Sequence, residues 1–411
     1  MAPAMASAGM AYNRRFLFPK HQTTGGAKGQ ECPASKEPSR VFKRAILATS
    51  FFLGLAGLAG CGSSHHTAYA TTPLNGSVSV FRVDSHTGRF TELPGSPFQA
   101  GISPSVILVD PAEKYAYVSN GGENDISLFK IGKNFSLTEI MPRTPAGTNP
   151  SSMAMDSAGK FLYVCNSGFI GGIFSNTVSV YSIDSSSGVL TQVGNPVDVG
   201  FNPVYLKVSP SNKFLYVANG AAGTLSAFTI GSSGALTQIA GSPYVLTGGI
   251  AGTQGPGPNW IAIHPDEKFL FVANLLANAI GAYTINSTTG ALTEVAGQPF
   301  ATGIGPSSVT FDKTGTYLYT TNLTSNNVSA YFVGSKGGLT QLSGSPYSAG
   351  TNPAIAQLDP SGQFLYVGTE AAAAGGTKQI LSFYINQESG QLTPTQGSNL
   401  ASTATSLFVL K

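Results

Sequence analysis

The chain has 411 residues, 42% of them hydrophobic and only 10% charged, with 22 Lys and Arg against 19 Asp and Glu for a net charge of +3. Its 50 Gly and 25 Pro speak against a helical protein and for short strands joined by turns, while the apolar content is too high for a disordered chain. The basic residues are scattered, with no run that could track phosphates, which argues against nucleic acid as a partner.

In chain order the first element is apolar. Lys43-Arg44 precedes an uncharged stretch, Ala45 to Ala59, too short to span a bilayer but of the length of a signal peptide's apolar region. It ends in Leu58-Ala59-Gly60-Cys61, which resembles the lipobox of bacterial lipoproteins, where cleavage precedes the Cys and the thiol takes the lipid. The resemblance implies removal of residues 1–60, lipidation at Cys61, and a polar tether over residues 61–68. It also implies a place in the bacterial cell envelope, facing the periplasm or the exterior and held to the membrane by the lipid anchor only. Gly62, which is not Asp, favours the outer membrane. Cleavage would leave 14 basic and 17 acidic side chains, a net charge of −3. Of three cysteines only Cys165 then stays in the folded domain, so no intramolecular disulfide forms there; Cys165 is expected as a small buried residue.

From residue 69 onward one phrase recurs. It reads DPAEKYAYVSN ending at Asn120, DSAGKFLYVCN at Asn166, SPSNKFLYVAN at Asn219, HPDEKFLFVAN at Asn274, DKTGTYLYTTN at Asn322 and DPSGQFLYVGT at Thr369. A Leu-Thr or Phe-Thr pair follows, with its threonine at 91, 138, 191, 237, 293, 340 and 393, intervals of 46 to 56 residues. Each copy reads as four strands. Strand A follows a Pro, an Asp-led turn reverses the chain, and strand B is the aromatic and β-branched run. Strand C alternates, as in Thr177 to Ile183, and a Ser/Gly turn leads to strand D. Four antiparallel strands about every 50 residues describe a propeller blade, so an all-β, seven-bladed β-propeller is expected over residues 69–411. The first copy lacks strand A, and the tail Thr405 to Leu410 looks like a strand A with nothing after it. The two fragments should complete one shared blade that closes the ring.

Loops from B to C and from D to the next A should open on one face around the central channel. Asn120, Asn166, Asn219, Asn274 and Asn322 end strand B there, and Asn149, Asn202 and Asn352 precede the Pro of strand A. Such asparagines could bind a sugar or peptide or could cap the loops; their recurrence favours capping. Residues that break the repeat are better candidates. Tyr205 and Trp260 replace Val106, Ser152, Ser308 or Ile355 at the second position after Pro, and Lys207 and Gln357 stand out two positions further. Trp260, the only Trp, ranks first, with Asn259 and Asn274 beside it. Arg143 and Asp198 are placed in D-to-A loops, and Glu123 and Asp125 in a B-to-C loop. His65 and His66 fall in the tether, His86 in a C-to-D turn, and His264 where other repeats carry a turn Asp or Ser. No His/Cys/carboxylate set has metal-ligand spacing, so neither metal nor cofactor is expected.

The repeat as a whole resembles the lactonase family of seven-bladed propellers, which includes bacterial 6-phosphogluconolactonases and muconate-lactonizing relatives, and the broader Tyr-Val-Thr-Asn repeat proteins. The phrase HPDEKFLFVANLLANAI is its densest stretch. Members typically read Gly-Pro-Arg-His before it and Asn-Glu-Leu after it, and the Arg, His and Glu are associated with lactone chemistry. This chain has Gly257-Pro258-Asn259-Trp260 and Asn274-Leu275-Leu276 there, so Asn259, Trp260 and Leu275 stand where Arg, His and Glu would be. Leu cannot exchange a proton and Trp offers only an indole donor.

Two readings of function follow. The first is a lipid-anchored, monomeric envelope propeller that binds a glycan, peptide or envelope protein at the channel mouth without catalysis. The second is a 6-phosphogluconolactonase-like hydrolase of a sugar lactone with a different residue set, for which Lys207, Asp198 and Arg143 are the catalytic candidates.

Overall fold

The computed structural model describes residues 65–170, 173–247, 257–370, 378–395, 400–402 and 406–410. The apolar stretch Ala45–Ala59 and the lipidation candidate Cys61 lie outside the described residues. Seven antiparallel sheets follow one another along the chain. Blade 3 is typical: strand A is Pro203–Val208, B is Phe214–Asn219, C is Thr224–Ile230, and D is split into Leu236–Gln238 and Tyr244–Val245, both paired with C. The outer segments flank a cis X-Pro bond in four blades, and blade 1 carries one, Met141-Pro142, inside its outer strand. Blade 2 carries an extra hairpin, Phe169–Ile170 with Ile173–Phe174.

The predicted turn chemistry is present. Asp156 accepts the main-chain N–H groups of Lys160 (2.6 Å) and Phe161 (2.7 Å), and Gly159 of the same turn takes φ +66°. Asp110, Asp312 and Asp359 hold the corresponding turns in their blades. His264 occupies this position in blade 4, where its Nε2 lies 3.1 Å from the Gly315 carbonyl and its ring packs edge-on to Phe311, a structural placement.

Strand B alternates its side chains between two neighbouring blades, which is why nearly every residue of FLYVAN-type runs is buried. One contact recurs around the ring. The first aromatic of each strand B nests against the glycine of the next blade's C-to-D turn: Tyr115 on Gly188, Phe161 on Gly234, Phe214 on Gly290, Phe269 on Gly337 and Tyr317 on Gly390. Across the seam Phe364 meets Gly88 in the same way. The third residue of the run reinforces it, as Tyr117, Tyr216 and Tyr319 donate their hydroxyls to the carbonyls of Gly188, Gly290 and Gly390.

The ring closes as expected. Ser406–Leu410 pairs with the strand His65–Thr72 from Thr67↔Leu410 to Thr71↔Ser406, and that strand pairs on its other side with Ser77–Asp84. It begins at His65, earlier than Tyr69, so the last residues assigned to a tether are strand. The reason is the eight-residue strand C, whose Phe81 to Asp84 offer backbone partners to His65 through Ala68. Two further positions differ from expectation. Arg143 lies within the outer strand Leu137–Pro145, at its register shift, and Asp198 within Val197–Asp198, because strand D resumes pairing with C after a break in its ladder. Cys165 is fully buried, as expected, and burial raises its thiol pKa well above the ordinary value.

Candidate functional site

The A strands surround a central channel of about 640 Å³. Successive side chains of a strand point to opposite faces, so the second and fourth positions after the opening Pro share the inner face. Tyr205 and Trp260 form the upper layer, paired in register with Ala218 and Ala273 near the B-to-C loops. Lys207 and Gln357 form a layer two residues deeper, opposite Tyr216 and Tyr366, roughly 7 Å down at about 3.3 Å per residue. All four line the channel together with Asn259; around them are Val106, Leu108, Met153, Val204 and Ile355.

The Tyr205 and Trp260 rings stack with centroids 4.0 Å apart and planes at 24°. The Asn259 Nδ2 donates to the Ser307 carbonyl of the next blade at 2.7 Å, so part of this side chain stitches the ring. By contrast the Tyr205 hydroxyl, the Lys207 ammonium, the Trp260 indole N–H and the Gln357 amide have no protein partner among the described residues. Lys207 keeps an exposed surface, which opens into the channel among its lining side chains. That partial loss of solvation, with no carboxylate to offset it, lowers its pKa below the ordinary lysine value. Burial likewise raises the pKa of Tyr205, which stays protonated as a donor.

The shift of Lys207 has a measurable consequence. The unfolded chain binds its proton more readily, so the lysine's contribution to stability rises with pH and is lost as pH falls through the folded pKa. Lys207→Met is therefore expected to melt above the parent at neutral pH, the gap closing as pH rises toward the ordinary lysine range. A gap that does not change with pH would contradict this.

Other candidates lie elsewhere. Arg143 is held by Glu139 (2.6 Å) and Glu123, with Asp125 at 3.9 Å, and Asp198 is exposed on the outer strand; neither lines the channel with Lys207. The asparagines that end strand B are buried caps: Asn219 Nδ2 donates to Thr224 Oγ1 (3.0 Å) and Ser226 Oγ (2.9 Å), with the same pattern at Asn120, Asn166 and Asn322. Asn149, Asn202 and Asn352 take φ +49°, +57° and +50°, and their N–H groups are accepted by Asn124, Asn176 and Asn326. Asn274 is fully buried and off the channel lining, and its amide lacks both partners because Ala279 and Gly281 replace the hydroxyl or carbonyl-bearing residues of other blades.

Sequence reasoning missed Glu370, which lines the channel at its loop end. It follows strand B where other blades place Gly121, Ser167, Gly220, Leu275 and Leu323. The rule that singled out Trp260, departure from the repeat, would have found it had it been applied one residue beyond the strand.

Residues 61–201 and 148–404 match the family described as a lactonase, 7-bladed beta-propeller. The chain belongs to the lactonase family of seven-bladed β-propellers. Among the relatives of this lactonase-family chain is the 6-phosphogluconolactonase of Bacillus subtilis, 27% identical over 154 residues, 37% of this chain and 44% of that protein. The 6-phosphogluconolactonase of Formosa agariphila is 26% identical over 162 residues, 38% and 45% respectively. The matches span less than half the length of these relatives. Among solved structures, the periplasmic gluconolactonase of Pseudomonas aeruginosa has a TM-score of 0.68 at 19% identity, covering 85% of this chain and 99% of that one. A protein from Lactobacillus plantarum has a TM-score of 0.70 at 19% identity, covering 84% and 100%. These two likenesses show the fold. In this lactonase-family propeller, Asn259, Trp260 and Leu275 all line the channel.

Proposed function

We propose that the channel hydrolyses a lactone, the internal ester of a sugar acid, with Lys207 in place of the family's usual charged set. The observation that carries this reading is a lysine of lowered pKa with no partner among the described residues, set two residues below an aromatic platform inside a lactonase-family channel. The amine of Lys207 takes a proton from water as the water oxygen bonds to the ester carbonyl carbon. The Tyr205 hydroxyl and Gln357 amide, which have no partner among the described residues, are the donors for the resulting oxyanion. The carbonyl carbon then loses its bond to the ring oxygen, the Lys207 ammonium returns the proton to that alkoxide, and the open hydroxy acid leaves. A lowered pKa suits this role, because a larger fraction of the lysine is amine at neutral pH.

Acid release from 6-phosphogluconolactone and simpler sugar lactones tests it. Turnover above the spontaneous rate is expected, falling by about 100-fold or more in Lys207→Ala, the usual range for loss of a general base. The parent hydrolysing no lactone above background would overturn it. The replacement of Arg, His and Glu by Asn259, Trp260 and Leu275 favours a second reading, glycan or peptide binding without turnover.

We also propose, from Leu58-Ala59-Gly60-Cys61, that the chain is lipid-anchored in the cell envelope. Cys61→Ser should abolish incorporation of labelled fatty acid, since the sulfur is the acceptor. Label in the Ser variant would contradict the anchor.

A further inference from the structure

We infer that the channel selects an uncharged sugar lactone and rejects its phosphorylated counterpart, an inference that rests on the lactone reading of the same site. The charges of the lining decide it. Among the described residues Lys207 is its only basic one, while Asp156 and Glu370 are acidic. Asp156 is committed to the turn it caps, but Glu370 is exposed at the loop end of the channel. The inner strand of blade 7, Ser406–Leu410, adds no charged residue.

Position matters as much as sign. A sugar lactone with its ester beside Lys207 directs the far end of the sugar up past the Tyr205–Trp260 stack toward the mouth. A phosphate there would leave the one cation roughly 7 Å below, two strand residues at about 3.3 Å each, and face aromatic rings and the Glu370 carboxylate. Phosphate recognition needs fixed cations or several converging donors, and no cation lines that level among the described residues. An uncharged sugar suits it, because its C–H face stacks on an aromatic ring while a hydroxyl meets the Trp260 indole N–H, which has no partner among the described residues.

The experiment uses the full chain and the minimal pair glucono-δ-lactone and 6-phosphogluconolactone. Trp260 is the only tryptophan, so its fluorescence also reports binding of the matching lactams, which are not hydrolysed. The expected result is a kcat/KM for the unphosphorylated lactone at least about tenfold higher, on the scale of pocket-based discrimination. Quenching of Trp260 should be stronger by the unphosphorylated lactam, and Glu370→Gln should narrow both preferences. Equal or better use of the phosphorylated compounds overturns the inference, as does a preference that Glu370→Gln leaves unchanged. If neither lactone is hydrolysed but the lactams quench with the expected preference, the selectivity stands and the hydrolytic reading falls.

Discussion

A chain ending at Ser402 is expected to lose most of its stability, because deleting the remaining residues removes the innermost strand of blade 7. That strand is the only backbone partner on one side of His65–Thr72, from Thr67↔Leu410 to Thr71↔Ser406. Its loss leaves the exposed edge that the ring is built to avoid. The strand it leaves behind carries Ala68, Tyr69 and Ala70, all fully buried, and Tyr69 packs with Val78, Val80 and Ile107 of the core that joins blade 7 to blade 1. An inner strand covering on the order of 300 Å² of apolar surface contributes about 7 kcal/mol at ~25 cal/mol per Å². That rivals the net stability of a whole domain, roughly 5–15 kcal/mol. Thermal melts of the parent and the shortened chain make the comparison. A shortened chain that melts within about 2 °C of the parent, the scale of a 1 kcal/mol change or less, would mean the seam is not what closes the ring.

Gly234→Ala is expected to be among the costlier methyl groups that can be added to a blade turn. Gly234 has φ +82°, and a Cβ there would overlap the Phe161 ring of the preceding blade. The left-handed backbone costs an alanine about 1 kcal/mol, and overpacking a buried contact adds about 1–3 kcal/mol. Gly194→Ala separates the two causes. Gly194 has φ +62° with nothing within 4 Å of its would-be Cβ, so only the backbone cost applies. The expected order is a loss of about 2–4 kcal/mol at Gly234 against about 1 kcal/mol at Gly194. Equal losses would show that the nest between blades contributes nothing beyond backbone conformation.

These two sites also mark what could and could not be read from residues alone. The blade count, the four-strand unit and the shared blade were legible because a period of about 50 residues and the incomplete end copies are patterns along the chain. The channel residues Tyr205, Lys207, Trp260 and Gln357 were legible because a repeat exposes its own exceptions. The Phe161–Gly234 nest was not, since it joins residues 73 positions apart in different blades and each looks ordinary in its own repeat. Arg143 and Asp198 were misplaced for a related reason: a Pro normally ends a strand, yet here strand C offers partners on both sides of the break. That Asn274 lacks the two acceptors its counterparts use depends on Ala279 and Gly281, which stand where other blades carry such groups.

The seam also has a direction. Thr67 faces Leu410 at one end and Thr71 faces Ser406 at the other, so both chain ends leave from the same end of the antiparallel pair. A pull applied between the termini would therefore load the hydrogen bonds one after another, like a zipper opened from its tab, whereas a shear load would strain all of them together. The pair that closes the ring is thus soft to a pull between its two strands' outer ends. A tether attached at the amino end alone places no load across it.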